Sequence, residues 1–393
     1  MNLKARSTRT AAALIAGIAV ASVALVGCST PRASAPSTST DAHQPDAFDA
    51  ATVKKLDAII EDAVTTQKLP GAIVAVWSPE GDYVTAAGYA DVDKKTTLTT
   101  DVNHRIGSVT KTFTITALLR LVDVGRASLD DPISTYVDGV PEGDRITLRH
   151  LAGMQSGLAD YSQNEEWQMS LLEDPRQPVT PQSLLDVVKD EPLHFEPGSQ
   201  VEYVNTNTIL IGLAIEKITG QPLADVVKTE VTDPLGMDHT FLPSGSEFPS
   251  PHAEGYTNQT LDGAATTATD WNPSWGWAAG AMISTLDDLK VWVPALAKGE
   301  LLSPGIQKER LDVTPMVPGA EDAGYGLGIF KINGWIGHNG SLPGYKTVTI
   351  YLPEKEMTLV VMVNSDIEDK KSNLVSALMT PLTELLTPDN VYS

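Results

Sequence analysis

"RIGSVTKTFTITALLRLVDVG", residues 105–125, reads as a strand end running into an apolar helix that carries a single lysine, Lys111, three residues after Ser108. Residues three apart are neighbours on a helix face, so Lys111 reaches the Ser108 hydroxyl if that serine opens the helix. A lysine held on such a stretch is partly desolvated, its ammonium is disfavoured, and a neutral amine can take the serine proton. The outcome is an activated nucleophile. The plainer alternative is a surface lysine whose stem covers apolar neighbours, since Ser-x-x-Lys arises by chance on the order of once in a chain this long. The spacing alone does not choose between them.

The chain has 393 residues, 42% hydrophobic and 20% charged, enough for a sizeable core and about two domains. Its first ten residues hold Lys4, Arg6 and Arg9 without an acid, and residues 11–27 are almost wholly small or apolar. Residues 1–27 are therefore expected to be a secretory signal, too short for a comfortable membrane span. The signal ends in Leu25, Val26, Gly27 and Cys28, which resembles the lipobox of bacterial lipoproteins, and Cys28 is the sole cysteine. The resemblance implies that Cys28 is lipidated, which would anchor an exported protein to the outer face of the bacterial cell membrane. Residues 28–49 are rich in Ser, Thr, Ala and Pro and read as a flexible tether spanning at most about 70 Å. Loss of residues 1–27 would take the formal net charge from −22 to −25. So acidic a chain is a poor partner for nucleic acid, and none is expected.

The body, residues 50–387, opens with a helical pattern, "ATVKKLDAIIEDAVTTQ", followed by two β-rich runs around a Pro-Glu-Gly-Asp turn. Near the other end "YGLGIFKI", "GWIGHNGSL" and "KTVTIYLPEKEMTLVVMVNSD" read as strands, and residues 370–387 as a closing amphipathic helix. Residues 131–319 are mainly short helical patterns broken by Pro and Gly. The expected fold is α+β: an antiparallel sheet from residues 50–130 and 320–387, flanked by helices, with residues 131–319 inserted as a mainly helical region.

A serine nucleophile needs a second group to share its proton and donors to hold the oxyanion. "VEYVNTNTILIGLAIEKITG" offers Tyr203 and Asn205 just before a strong helical pattern, and "GWIGHNGSLPGY" offers His338, Asn339 and Gly340 on a predicted strand. A second Tyr-x-Asn, Tyr256 and Asn258, falls in a polar loop and is set aside.

In their order, "SVTK", "YVN" and "HNG" resemble the motifs of the penicillin-recognising serine hydrolases, the family of class C β-lactamases, DD-carboxypeptidases and related esterases. The resemblance is closest to secreted DD-carboxypeptidases and covers residues 50–387, supported by "QSGLADY" and "SWGWAAGAMIS". It implies that Ser108 is the acyl-accepting nucleophile, that Lys111 helps deprotonate it, and that Tyr203 shares the base and acid work with a pKa lowered by adjacent positive charge. Which of Lys111 and Tyr203 takes the proton first stays open. Asn205 would hold the acyl side of the substrate, and the backbone N–H groups of Ser108 and Ser341 would form the oxyanion hole. Trp275 sits where the family has a tryptophan walling the site. Pro343 fits a strand edge that stops pairing close by.

Several positions depart from the family pattern. His338 stands where many relatives have lysine, and an imidazole with an ordinary pKa near 6.5 would be partly charged at neutral pH, so turnover is expected to follow its protonation. Asn339 replaces a usual Thr, Phe330 stands where some members place an Arg that clasps a terminal carboxylate, and Met154 replaces a frequent His and is read as structural. The seven histidines lack metal-ligand spacing, Gly324, Gly326 and Gly328 precede no helix, and "GMQSG" is not a nucleophile elbow. No metal or cofactor is expected. The reading is a serine acyl hydrolase working through an acyl-enzyme, D-alanyl-D-alanine carboxypeptidase-like on cell-wall peptides, with β-lactamase or esterase activity on the same site, or a silent wall-binding module, as alternatives. A monomer is expected.

Overall fold

The structure, a computed structural model, describes residues 47–317, 319, 323–367 and 373–392. Its first helix, Ala50–Thr65, starts where the Asp49 carboxylate accepts hydrogen bonds from the N–H groups of Ala51 and Thr52, satisfying two otherwise orphaned donors. Leu56, Ile60 and Ala63 recur at helical spacing and are buried on one sheet face, where each large aliphatic side chain contributes about 2 kcal/mol.

Nine strands form one antiparallel sheet: β1 (Gly71–Ser78), β2 (Gly81–Asp91), β3 (Thr96–Thr97), β4 (Thr314–Pro315), β5 (Ala323–Tyr325), β6 (Phe330–Ile332), β7 (Trp335–Leu342), β8 (Tyr345–Leu352) and β9 (Met357–Val363). The spatial order is β3-β2-β1-β9-β8-β7-β6-β5-β4. The two ends of the chain meet at its centre, where β1 pairs with β9 from Ala72↔Val363 to Trp77↔Thr358. Every residue of β9 is buried, because both faces of that strand are covered. Leu359, Val361 and Val363 pack with the first helix and with Leu382 of the helix Thr380–Leu386. Val360 and Met362 face the larger core, built with the helix Thr110–Asp123 and the inserted helices Asn205–Thr219 and Leu286–Lys298 among others.

Three details differ from the sequence expectation. β4 joins the sheet from within residues assigned to the helical insertion, pairing Thr314↔Tyr325 and Pro315↔Gly324. The run "YGLGIFKI" is not one strand: residues 326–329 break it between β5 and β6, with Gly328 at φ +74° and Gly326 so close to Arg310 that a Cβ would lie 2.2 Å from its carbonyl oxygen. Pro343 does not terminate an edge but sits with Gly344 (φ +88°) in the two-residue turn of the β7–β8 hairpin, flanked by the pair Leu342↔Tyr345. Residues 1–46, including the expected signal and Cys28, lie outside the described residues.

Candidate active site

The helix Thr110–Asp123 is buried from Thr110 through Leu119, so its N-terminus delivers Lys111 into the interior, where the side chain is fully buried. Before it, a short antiparallel pair, His104–Arg105 with Ile283–Ser284, leads into a tight turn at Gly107–Val109. Gly107 adopts φ +54°, and a Cβ there would lie 2.5 Å from the Ser341 nitrogen of β7. A Cβ on Gly340 would lie 2.0 Å from the Ile106 carbonyl oxygen and 2.8 Å from the Ser108 nitrogen. Two glycines thus let the turn and the strand touch backbone to backbone, which brings the N–H groups of Ser108 and Ser341 to one place.

Lys111 Nζ makes three hydrogen-bond contacts: Ser108 Oγ at 3.0 Å, Asn205 Oδ1 at 2.7 Å and the Ala279 carbonyl oxygen at 2.8 Å. The last two partners can only accept. A neutral amine therefore gives its two N–H bonds to them and turns its lone pair to Ser108. Burial pulls the Lys111 ammonium down to about 7 from an ordinary 10.5, with the Asp160 carboxylate opposing the shift.

Tyr203 lies with its ring 4.9 Å below Lys111 Nζ. Its buried Oη faces Ser108, but no described group completes a regular hydrogen bond to it. The expectation of a depressed pKa is overturned: burial raises the phenol well above 10, Ser108 opposing and Asp160 adding to the rise. Tyr203 is a protonated phenol across the working pH range.

His338 is likewise corrected. It is buried among Phe330, Tyr325 and Tyr203, with ring centroids 4.6, 5.9 and 6.0 Å away. Burial, reinforced by the Lys111 charge, lowers its pKa to about 3, so it is neutral where turnover was expected to follow its titration. Nδ1 lies 2.5 Å from the Asn339 carbonyl oxygen, which assigns its proton there, and Nε2 then accepts from the Tyr325 hydroxyl at 3.2 Å.

Asn205, the first residue of its helix, turns both amide N–H groups to protein partners, Asp160 Oδ2 at 3.2 Å and Ser162 Oγ at 3.0 Å. Those donors were assigned by resemblance to substrate, and they are already engaged. Asn339 is exposed and does not line the cleft beside Ser108. Ser341 and Trp275 do line it. Met154 is buried with φ +59°, its sulfur 3.5 Å from Asn207 Nδ2, which is a structural placement.

The cleft encloses about 420 Å³ between Ser108, Ser341 and an aromatic wall of Tyr161, Trp167 and Trp275. Tyr161 donates its hydroxyl to the Trp275 carbonyl at 2.7 Å and meets Trp167 edge-on at 5.3 Å. No described residue lining it carries a charge.

Residues 56–379 match the family described as Beta-lactamase. The chain belongs to the β-lactamase family. This β-lactamase-family chain is 30% identical over 321 residues to the D-aminopeptidase of Brucella anthropi, covering 79% of itself and 59% of that protein. It spans between 59% and 64% of the length of the first curated relatives it matches. Among solved structures it resembles the D-amino acid amidase of Ochrobactrum anthropi SV3 complexed with L-phenylalanine amide, with a TM-score of 0.75 and 28% identity over 86% of this chain and 98% of that one. It also resembles the penicillin binding protein of Bacillus halodurans, with a TM-score of 0.70 and 26% identity over 84% and 98% of the two chains. The fold is that of the β-lactamases and penicillin-binding proteins.

Sequence reasoning passed over Asp160, Tyr161 and Trp167, and over the Ala279 carbonyl. "QSGLADY" held the first two in view without showing which partner they meet. A backbone acceptor has no side-chain signature, and the small-residue run "GWAAG" is the one hint that something approaches closely there.

Proposed function

We propose that the chain hydrolyses amide or ester bonds whose leaving side is uncharged, through an acyl-enzyme on Ser108. Lys111 takes the Ser108 proton as Oγ bonds to the carbonyl carbon, the N–H groups of Ser108 and Ser341 hold the oxyanion, and the carbon–nitrogen or carbon–oxygen bond then breaks. The leaving group departs with the proton held by Lys111, relayed past the protonated Tyr203. Water repeats the sequence to release the acid.

The uncharged lining of the cleft carries the choice of substrate. A D-alanyl-D-alanine carboxypeptidase must hold a terminal carboxylate, and Phe330 and Asn339 supply no cation for it. Forgoing charge-assisted hydrogen bonds costs about 1.5–3 kcal/mol, roughly ten- to a hundredfold in kcat/KM. A D-amino-acid amide or a capped peptide avoids that loss, in keeping with the names of the amidase and aminopeptidase relatives. The D-alanyl-D-alanine reading is therefore the narrower and less supported one.

Rates on D-phenylalanine amide and on D-alanyl-D-alanine decide between them, with the C-terminally amidated dipeptide as control. The amides should be cleaved at least tenfold more efficiently, and Ser108→Ala should abolish all three activities. Preference for the free carboxylate would sink the assignment.

We also propose, on the lipobox-like sequence alone, that Cys28 is lipidated and that residues 29–49 tether a monomeric body outside the membrane. Cell fractionation should find the Cys28→Ala protein released into the soluble fraction, and an unchanged membrane fraction would refute the anchor.

A further inference from the structure

We propose that Asp160 is a positioning residue: it fixes which way the Asn205 amide faces and so reserves the lone pair of Lys111 for Ser108. The proposal rests on the reading above in which Lys111 is the base.

The Asn205 amide can present either of two chemically different ends to Lys111, an acceptor oxygen or a donor nitrogen. With Oδ1 toward Nζ, as seen at 2.7 Å, the amine donates to it. With the amide reversed, an NH2 group would face Nζ, and the only favourable contact would use the amine's lone pair as acceptor. Ser108 would then lose its base.

Three contacts select the productive face. Asp160 Oδ2 accepts from both the backbone N–H and the side-chain Nδ2 of Asn205, each at 3.2 Å, and Ser162 Oγ takes the second amide hydrogen at 3.0 Å. Asp160 Oδ1 accepts from the Ser162 backbone N–H at 3.0 Å, which keeps that hydroxyl in place. A carboxylate offers acceptors only, so it rejects an amide oxygen turned toward it. Ser162 can rotate its hydroxyl to donate or accept. The selection therefore lies with Asp160.

The same charge acts on Lys111 through space. The titratable groups facing Lys111 are Tyr203, His338 of β7 and Asp160, and the segment Trp277–Gly280 contributes none. Tyr203 and His338 are neutral across the range of interest, so among the described residues Asp160 is the anion that favours the ammonium. Its removal has two effects of opposite sign. The amine is populated at lower pH, while its orientation is less well held.

The experiment is the pH dependence of Ser108 acylation by p-nitrophenyl acetate, followed as the single-turnover release of p-nitrophenolate from the full chain, with Ser108→Ala and Lys111→Met as controls. Wild type should rise through an acid limb near pH 7. Asp160→Asn, nearly isosteric, should move that limb down by about one pH unit and lower the plateau several-fold. Asp160→Ala, which removes both anchors, should lower the plateau about a hundredfold, the scale of a misplaced catalytic group. An Asp160→Asn limb that stays within 0.2 unit of wild type, taken with a plateau within about twofold, overturns the role of Asp160 while leaving the base reading intact. A Lys111→Met chain that acylates at the wild-type rate overturns both. A variant that only damaged packing would lower the rate without moving the limb, so Asp160→Asn decides even if Asp160→Ala fails to fold.

Discussion

Lys111 and His338 show how far burial alone can reassign a residue. Both sit within reach of Tyr203, yet one is left titrating at about 7 and the other at about 3. The gap is inherited from their ordinary values, 10.5 and 6.5, because burial lowers the two by a similar amount, and what differs is how each neutral form is satisfied. Neutral His338 satisfies both ring nitrogens, through the Asn339 carbonyl and the Tyr325 hydroxyl, and gains nothing from a second proton. Lys111 has three acceptors around it and keeps its ammonium accessible despite the dry surroundings. The acid limb of kcat/KM should therefore belong to Lys111, with activity rising as pH passes upward through 7. His338→Gln should leave that limb where it is, since a neutral group replaces a neutral group. His338→Lys should move it to lower pH, because a second cation further disfavours the Lys111 ammonium. If instead the limb vanishes in His338→Gln, the imidazole is the titrating group and its buried, neutral assignment is wrong.

At the scale of elements, what was legible in the sequence was whatever a single segment determines. Ser108 and Lys111 are neighbours because three residues separate them along one helix start, and that follows from helical geometry alone. The first helix, the hairpin of β1 and β2, and β7 through β9 declare themselves by apolar periodicity and turn residues. What escaped was whatever two distant segments decide together. Gly340 read as a substrate-binding member of "HNG" and Gly107 as an ordinary glycine, and the close backbone approach that requires both appears only when the turn is laid against β7. The Asn205 amide read as a free donor until Asp160 and Ser162 were found holding it. The Tyr203 pKa was misread for the same reason: a motif shows that a cation is close, whereas burial is a property of everything packed around it. β4 is a two-residue strand, too short for any periodicity, and exists because β5 offers it an edge.

For the whole molecule, two buried neutral histidines tie stability to pH. His104 lies under Tyr345, edge-on at 5.2 Å, with Nε2 at 3.3 Å from the Lys346 carbonyl oxygen, and burial lowers its pKa to about 4. His338 is lower still, at about 3. In the unfolded chain each would take a proton near 6.5. Between about pH 6.5 and 4 the unfolded state thus binds two more protons than the native one, so the free energy of unfolding falls as pH falls. The slope is about 1.4 kcal/mol per pH unit for each histidine, or roughly 3 for the pair, a large part of the 5–15 kcal/mol typical of a folded domain. Lys111 is silent in this window because it is an ammonium in both states below 7. Above 7 the native amine is neutral while the unfolded one is not, so Lys111 extends the rise toward alkaline pH with the same sign. Urea unfolding at pH 7, 6 and 5 should show this decline. In the double variant His104→Gln, His338→Gln the decline should be much shallower over the same interval, with a remainder from His150, which burial also lowers, even if its absolute stability is lower. A decline that persists undiminished in the double variant would place the acid sensitivity elsewhere, because neither substituted position could then bind the protons that drive it.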